Sequence, residues 1–459
     1  MKKFISSLAV LALTAPAFAQ DTKALESRIE ALELSRDLNW VKLGGSLETR
    51  YDYIDYERNK GYSLNGAAVN KGGRNDSYYR MWANVNMEAK PSDRLTFFGR
   101  LSMAKYFSVL GSNGQPTTDF ADLGDGQNMN RSFLFMERAF VNYSIDKNWT
   151  FTMGRLPTID GPNKHIALNQ QIMGNYPTLA YSAILDGFAL TYATQPTTDS
   201  VLRTKLIYTP LQNVNYAGTG SSNLKDGNGD SIRTSSDFVS LLVEYEKYNA
   251  SWFKKNMTIF QALRGEQTPF YQPPFDDGNP VTETTGSDLY VSVNRFVLYT
   301  DFEKIAGTNF DLAAQVMYSI VNSRGSLVNN PNSPSTTIGW GTDKRSDDQT
   351  GYASVITARY QLDLPSLNRP KIGAEWFHSS EDAYVYDAAN VNPINMYGSQ
   401  DADVYHVFYN HTFDGGLALN TGYMYRKQNS VRGFSNVLGK NQDADNKDQN
   451  VYVSLLATF

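Results

Sequence analysis

The sequence contains no cysteine and only four histidines among its 459 residues. Disulfide frameworks, thiol catalysis and cysteine-ligated zinc sites are therefore excluded. After the first twenty residues, no stretch approaches the roughly 18 consecutive apolar residues of a membrane-spanning helix. The mean hydropathy is −0.44. These absences leave two classes open: a soluble protein, or a membrane protein whose strands alternate apolar and polar side chains.

The N-terminus, "MKKFISSLAVLALTAPAFAQ", combines a basic head, a short apolar core and an Ala-Phe-Ala site. This order predicts a secretory signal peptide over residues 1–19, with the mature chain beginning at Gln20 and no cysteine there for a lipid anchor. Without Lys2 and Lys3, 40 basic and 47 acidic residues remain, a net charge of −7. Nucleic acid is therefore not an expected partner.

Residues 20–39 contain the only helical pattern, with Leu25, Ile29 and Leu32 at helical spacing and charged residues between them. We expect a short periplasmic helix, which needs a partner to bury its apolar stripe. A coiled coil between subunits, a helix packed on its own chain and a frayed leader all remain open.

From Trp40 onward the pattern changes to strict alternation. In the stretch "LGGSLETRYDYIDY", Leu43, Leu47, Tyr51 and Tyr53 share one face, whereas the charged residues occupy the other. Many later segments repeat this two-residue period, and aromatic residues cluster near their ends. An apolar face, a polar face and terminal aromatic residues are typical of strands in an outer-membrane barrel.

Short and long connections alternate along the chain. Seven short connections, such as 146–148 and 414–416, separate eight long polar ones, which lie near 57–76, 108–132, 156–183, 210–236, 264–286, 322–349, 379–402 and 428–447. This parity predicts an all-β, transmembrane antiparallel β-barrel over residues 40–459, with about 16 strands (14–18). A propeller or sandwich is the alternative, but no repeat of a suitable period is present.

The chain ends on "VYVSLLATF", an alternating strand that stops at Phe459. It resembles the C-terminal signature of Gram-negative outer-membrane proteins, although Ala457 stands where a larger apolar residue is more common. The resemblance implies that the barrel assembly machinery recognises this strand, with Phe459 as the assembly signal, and that outer-membrane lipid surrounds the barrel.

The overall pattern also resembles the general diffusion porins, in which the third long loop folds inward and narrows the channel. The third long connection here runs from Gly154 to Gly187. The resemblance implies that Asp160, Lys164 and His165 lie at the constriction. The run "GRLPTIDGP" within it is similar to a motif in a family of uncharacterised Gram-negative proteins assigned as porins.

Several charged residues fall on the polar face of the predicted strands. The expected pore-lining set is Arg50, Arg80, Arg100, Arg138, Arg203, Arg359, Arg426, Glu48 and Glu88. A row of guanidinium groups facing acidic loop residues would create a transverse field in the channel. The alternative is that these arginines pair with wall carboxylates and only make the wall rigid. Arg155 and Arg295 fall on the other face or at strand ends and are not part of this set.

Metal and enzyme sites have weaker support. Residues 226–237 begin like a calcium loop, but Ser231 and Asp237 stand where glycine and glutamate are usual. A solvated acidic loop is therefore favoured, and no metal or cofactor is expected. The four histidines, His165, His378, His406 and His411, show no catalytic order, although catalytic partners need to meet only in space.

The sequence as a whole predicts a non-enzymatic porin of the bacterial outer membrane, a water-filled channel for passive diffusion of small hydrophilic solutes and ions. A substrate-specific channel is the alternative, and a non-conducting adhesin or structural barrel is less favoured. Solute identity, ion preference, gating and oligomeric state, including a homotrimer, are left open.

Overall fold

The computed structural model describes residues 41–64, 67–106, 133–172, 174–211, 236–269, 290–324, 328–329, 337–338, 349–385, 387, 392–432 and 441–459. The predicted signal peptide, the 20–39 helical segment and most of the 226–237 acidic loop lie outside these residues.

Sixteen antiparallel strands form one closed barrel. In chain order they are β1 (Val41–Arg58), β2 (Gly72–Ser92), β3 (Leu95–Tyr106), β4 (Phe133–Ser144), β5 (Trp149–Leu156), β6 (Leu185–Thr194), β7 (Ser200–Leu211), β8 (Ser236–Ala250), β9 (Phe253–Pro269), β10 (Tyr290–Glu303), β11 (Phe310–Arg324), β12 (Gln349–Gln361), β13 (Lys371–Ser379), β14 (Ala402–Thr412), β15 (Leu417–Arg432) and β16 (Asn441–Thr458). Each strand pairs with its neighbours in sequence, so the predicted fold class and strand count are confirmed.

The last strand closes the barrel against the first. β16 pairs antiparallel with β1, with Arg50 opposite Ser454 and Ser46 opposite Thr458. Phe459 extends the pairing, because its backbone N–H donates to the Gly45 carbonyl at 3.0 Å and its carbonyl accepts from the Gly45 N–H at 2.9 Å. Closure therefore leaves no open sheet edge, which is the requirement for strands in lipid.

Strand alternation sorts the two faces of the wall. On β1, Tyr51 and Tyr53 are exposed on the outside, whereas Arg50 and Asp52 are buried inside. The other strands repeat this arrangement, and large exposed apolar residues cover the exterior, for example Leu190, Phe296, Val316 and Leu455. A closed antiparallel barrel with an apolar outer belt is the architecture of a transmembrane β-barrel.

The connections also differ in length between the two rims of the barrel. All seven connections at one end are short, and we refer to this end as the short-turn rim. One example is the turn before β5, where the Asp146 carboxylate accepts hydrogen bonds from the backbone N–H groups of Asn148 and Trp149 at 2.7 and 2.8 Å. These two bonds lower the pKa of Asp146.

The eight long connections are all at the opposite rim. The last of them spans only 433–440, because β15 and β16 extend further than the 428–447 range expected from the sequence. Two others fold into the barrel: residues 157–184, named loop 3, and residues 380–401, named loop 7. Loop 3 carries one short helix, α1 (Lys164–Leu168).

The barrel interior has two different halves. Strands β8–β14 turn apolar side chains inward, including Leu242, Ile259, Met317, Val355, Phe377 and Val404. Loops 3 and 7 cover them with Ile166, Leu179, Val385, Ile394 and Met396, and together these residues form one buried core. We expected water throughout the lumen, but on this side the two loops fill it. The inner wall of β8–β14 is apolar, and burial under the loops removes it from water.

Candidate functional site in the barrel interior

Loop 3 leaves the wall at the end of β5 and is held by its own backbone. The Gly174 N–H donates to the Asp160 carbonyl at 3.0 Å, and the Asn175 N–H donates to the Pro157 carbonyl at 2.8 Å. A Cβ atom at Gly161 would lie 1.6 Å from the Tyr176 carbonyl oxygen. The two arms of the loop therefore approach so closely that only glycine fits at position 161.

Loops 3 and 7 are joined to each other by buried polar contacts. The Lys164 ammonium lies 3.1 Å from a carboxylate oxygen of Asp387, whose side chain is fully buried. The Asn163 amide donates to the Tyr397 hydroxyl at 3.3 Å. Ser182 and Asp387 also form a β-bridge. The two loops therefore form one unit inside the barrel.

A buried carboxylate on the wall is the meeting point for both loops. Glu375 of β13 accepts hydrogen bonds from Asn163 of loop 3 at 2.9 Å and from Tyr397 of loop 7 at 2.8 Å. The Thr357 hydroxyl also donates to it at 2.5 Å. Burial and the Glu375 charge raise the pKa of Tyr397, so this phenol is a neutral donor.

His165 of α1 is buried next to the wall rather than facing an open space. Its Nε2 lies 3.7 Å from an Asp301 oxygen. Burial lowers the pKa of His165 to about 3, and the nearby positive charges of Arg359 and Lys255 act in the same direction. The imidazole is therefore neutral and packs beside Asp301 without an ion pair, whereas Lys164 attaches loop 3 to loop 7 through Asp387.

Asp160 differs from these two residues, because its side chain is 45% exposed. It lies 3.2 Å from Arg138 of β4 and 3.5 Å from Arg100 of β3. The Arg138 guanidinium also donates to the Ile159 carbonyl at 3.3 Å. Among the three residues assigned to the constriction, Asp160 is thus the one with a substantially exposed charge.

The remaining predicted lumen arginines all lie on the inner wall with carboxylate partners. Their partners are Asp52 for Arg50, Glu48 for Arg80, Glu244 and Glu246 for Arg203, Asp311 for Arg359, and Asp448 for Arg426. Several of these arginines also hold a loop. Arg80 donates to Asn392 at 3.1 Å, Arg426 donates to Ser399 at 3.1 Å, and Arg359 donates to the Ile166 carbonyl at 3.1 Å.

The half of the interior next to β1–β7 contains a cavity of about 740 Å³. Its wall includes the polar side chains Asn86, Asn142, Thr150, Thr152 and Thr191, and one side is formed by Pro157, Thr158 and Tyr176 of loop 3. Its charged lining residues are Lys42, Glu88, Arg100, Arg138, Arg203 and Lys205. Each of the five cations has a carboxylate within 4 Å.

Three features of the barrel interior were not predicted from the sequence. Glu137 lies beside Arg138 on the same face, because a bulge in β4 interrupts the alternation. Two adjacent charged residues in an apolar strand are a signal for such a bulge. Arg295, which the sequence places on the other face or at a strand end, is fully buried and donates to the Ala180 carbonyl of loop 3. The inward course of loop 7 had no sequence signal.

No helix in the described parts of the chain is long and apolar enough to cross a membrane. Within the same residues, no group of three or more histidine, aspartate or glutamate side chains could hold a metal ion. Asp237, the last position of the candidate calcium loop, lies in β8 and accepts a hydrogen bond from the Tyr208 hydroxyl at 2.9 Å. The other residues of that loop lie outside the described chain, apart from Ser236.

Residues 73–209 match a family described as a protein of unknown function, DUF3373. The match covers less than a third of the chain and includes the "GRLPTIDGP" run. No curated protein matches the sequence.

Several solved outer-membrane proteins are similar in shape. They include the outer membrane protein OmpT of Vibrio cholerae in its trimer form, with 11% identity, 91% of this chain and 99% of that chain covered, and a TM-score of 0.45. OprB of Pseudomonas putida has 10% identity, 94% and 96% coverage, and a TM-score of 0.48. The outer membrane channel DcaP of Acinetobacter baumannii has 13% identity, 91% and 97% coverage, and a TM-score of 0.43. The closed 16-stranded barrel of this chain is defined by its own strand pairing.

Proposed function

We propose that this protein is a non-enzymatic outer-membrane channel for passive diffusion of small hydrophilic solutes and ions. The observation that carries the proposal is the cavity between β1–β7 and loop 3, whose lining combines polar and charged side chains with apolar ones. Its hydroxyl, amide and charged lining is suited to water and hydrophilic solutes. In this proposal the short-turn rim faces the periplasm, and the long loops face the cell exterior.

The balance of lining charges supports weak ion preference. Each cation at the cavity has a carboxylate partner, so the arginine row supplies local dipoles rather than a large net field. The two interlocked loops also support a narrow route, because they fill the side of the lumen next to β8–β14. Uptake therefore depends on solute size more than on the sign of its charge.

The proposal includes export by a cleaved signal peptide and insertion by the barrel assembly machinery. The apolar belt supports outer-membrane lipid as the surrounding medium. A homotrimer is the assembly we propose for testing.

The test is conductance of the refolded mature protein in a planar lipid bilayer with a salt gradient. We expect stable current steps with a small reversal potential. Three-step closures support a trimer, and single-step closures argue against it. A correctly folded barrel that carries no current rejects the channel and favours a structural or adhesive barrel.

A substrate-specific channel is the second candidate. The observation that favours it is the presence of partly exposed aromatic side chains on the inner wall beside the cavity, where a general channel needs only polar groups.

A further inference from the structure

Two aromatic pairs lie on the inner wall of β2–β4. Phe98 of β3 and Phe140 of β4 are stacked, with ring centroids 5.1 Å apart and an interplanar angle of 23°. Trp82 of β2 and Phe135 of β4 form an edge-to-face pair at 6.4 Å. All four side chains are partly exposed. Strand parity turns them toward the lumen rather than toward lipid.

The Phe98–Phe140 pair lines the cavity and does not belong to the apolar core under loops 3 and 7. On β8–β14, by contrast, inward apolar residues are covered by the two loops. A partly exposed phenylalanine ring that lines a cavity holding water has an unfavourable contact with that water. A solute with an apolar face would remove this contact.

Polar groups separate the two aromatic pairs along the wall. Pairing places Phe98 opposite Phe140, Arg100 opposite Arg138, and Ser102 opposite Phe135, so an arginine pair lies between the aromatic levels. Asp160 faces this arginine pair from loop 3. The wall therefore presents aromatic faces, then charged donors and acceptors, then aromatic faces again.

The chemistry of this wall matches a neutral saccharide. A pyranose ring presents C–H groups on its faces and hydroxyl groups at its edge, so it can stack on aromatic side chains while it hydrogen-bonds to charged and amide groups. An anion requires uncompensated positive charge, whereas the arginines here share Glu137 and Asp160. The Oδ1 atoms of Asn86 and Asn142 already accept hydrogen bonds from Arg100 and Thr152, both at 2.7 Å, so an apolar solute would leave the amide N–H groups of these two asparagines without an acceptor.

We propose that the inner wall of β2–β4 is a saccharide-binding track, with Phe98 and Phe140 as its stacking platform in the cavity. This proposal rests on the proposed channel function. It narrows the solute class to neutral saccharides of one to three rings. The cavity volume of about 740 Å³ is large enough for a disaccharide together with some water.

The experiment measures single-channel current while maltose is added, and sorbitol serves as an open-chain polyol without a ring face. Wild-type protein should show concentration-dependent interruption of current by maltose and none by sorbitol. The double substitution F98A/F140A should raise the half-blocking maltose concentration at least about fivefold.

A matched control exists on the other face of the same strands. Phe97 and Val141 are paired directly and face outward, next to Phe98 and Phe140. The F97A/V141A variant also removes apolar side chains from this strand pair, although less volume than F98A/F140A, and should keep wild-type maltose block. If both double variants weaken block equally, the effect is structural and the track is rejected.

The two proposals fail in distinguishable ways. Absence of current in folded wild-type protein rejects the channel itself. A conducting channel that maltose and maltotriose do not interrupt rejects only the saccharide track. Block by benzoate without block by maltose also rejects it and assigns the aromatic wall to aromatic carboxylates.

Discussion

Lys164 in α1 of loop 3 and Asp387 in loop 7 form an ion pair inside the barrel. The Lys164 ammonium lies 3.1 and 3.2 Å from the two carboxylate oxygens, and the Asp387 side chain has no solvent exposure. Because these loops have no long secondary structure, such cross-links determine whether they stay on the β8–β14 wall. The width of the remaining space next to β1–β7 depends on this attachment.

Replacement of Lys164 by methionine should loosen the two loops. The variant leaves a buried carboxylate without its cation, which costs about 3–5 kcal/mol. We expect larger, noisier single-channel currents and faster proteolytic cleavage within loop 7. The control is Lys247→Met, which removes a partly exposed pair with Asp199 at the short-turn rim and should cost at most about 1 kcal/mol. Unchanged currents for Lys164→Met would show that the pair does not hold the loops.

Gly161 should not tolerate alanine. Because the added methyl group would lie 1.6 Å from the Tyr176 carbonyl oxygen, the two arms of loop 3 must separate. We expect Gly161→Ala to cost about 1–3 kcal/mol and to expose loop 3 to protease. At Gly73 the nearest atom to an added Cβ is 3.5 Å away, so Gly73→Ala should behave like wild type. Equal protease resistance of both variants would contradict the tight packing of the loop.

Acid should destabilise the loop packing through His165. Its pKa in the native protein, about 3, is below the ordinary 6.5, so the unfolded chain binds a proton first as pH falls. The stabilisation is complete above about pH 6.5 and decreases by at most about 1.4 kcal/mol per pH unit toward pH 3. The Asp301 carboxylate near Nε2 reduces this loss, whereas Arg359 and Lys255 increase it.

This pH dependence of stability is checked by the temperature at which the barrel unfolds. That temperature is measured at each pH by comparing unheated and heated samples on a gel. The contribution of His165 to stability should fall between about pH 7 and pH 5, and the difference in slope between wild type and His165→Gln isolates this contribution. His165→Gln should be less stable at neutral pH but lose less on acidification. His411→Gln, outside loop 3, tests whether any histidine replacement gives the same result. If His165→Gln lost stability with falling pH as steeply as wild type, His165 would be excluded as the source of the pH dependence.

Phe459 should be needed for efficient insertion. Its backbone closes the barrel on Gly45, and its ring covers Gly45, where an added Cβ would lie 2.5 Å from a ring carbon. We expect Phe459→Ala to reduce the heat-modifiable barrel in outer-membrane fractions severalfold. Phe413→Ala removes another exposed aromatic residue near the same rim and is the control. If outer-membrane fractions contained equal amounts of heat-modifiable barrel for Phe459→Ala and wild type, the role of Phe459 as an assembly signal would be rejected.

The wall was predictable from sequence because strand alternation and loop parity depend only on neighbouring residues. A two-residue period was enough to place Leu43, Leu47 and Tyr51 on the outer face. The even number of strands followed from the alternation of short and long loops. The exception at Glu137 and Arg138 comes from a bulge, which shifts the parity of β4. Arg295 was misplaced because β10 has apolar residues on both faces, such as Val297 and Phe296.

The filling of the lumen was harder to predict because it depends on contacts between distant segments. Glu375 contacts Asn163 across 212 positions of sequence, and no local pattern indicates this pairing. Inward apolar residues on β8–β14 would have been a usable signal, since an aqueous lumen does not favour them. That signal shows where the lumen is covered, but it does not identify loop 7 as part of the cover.

The most direct test of the central claim uses the absence of native cysteine. Thr152→Cys places a thiol at the cavity next to β1–β7, and Ser319→Cys places one on the wall under loop 7, where Ser319 accepts from the Tyr384 N–H at 3.0 Å. A charged, water-soluble thiol reagent is added during bilayer recording. We predict rapid reduction of current for Thr152→Cys and no effect for Ser319→Cys. Reaction at Ser319→Cys with none at Thr152→Cys, or no current from the folded wild-type barrel, would contradict this account.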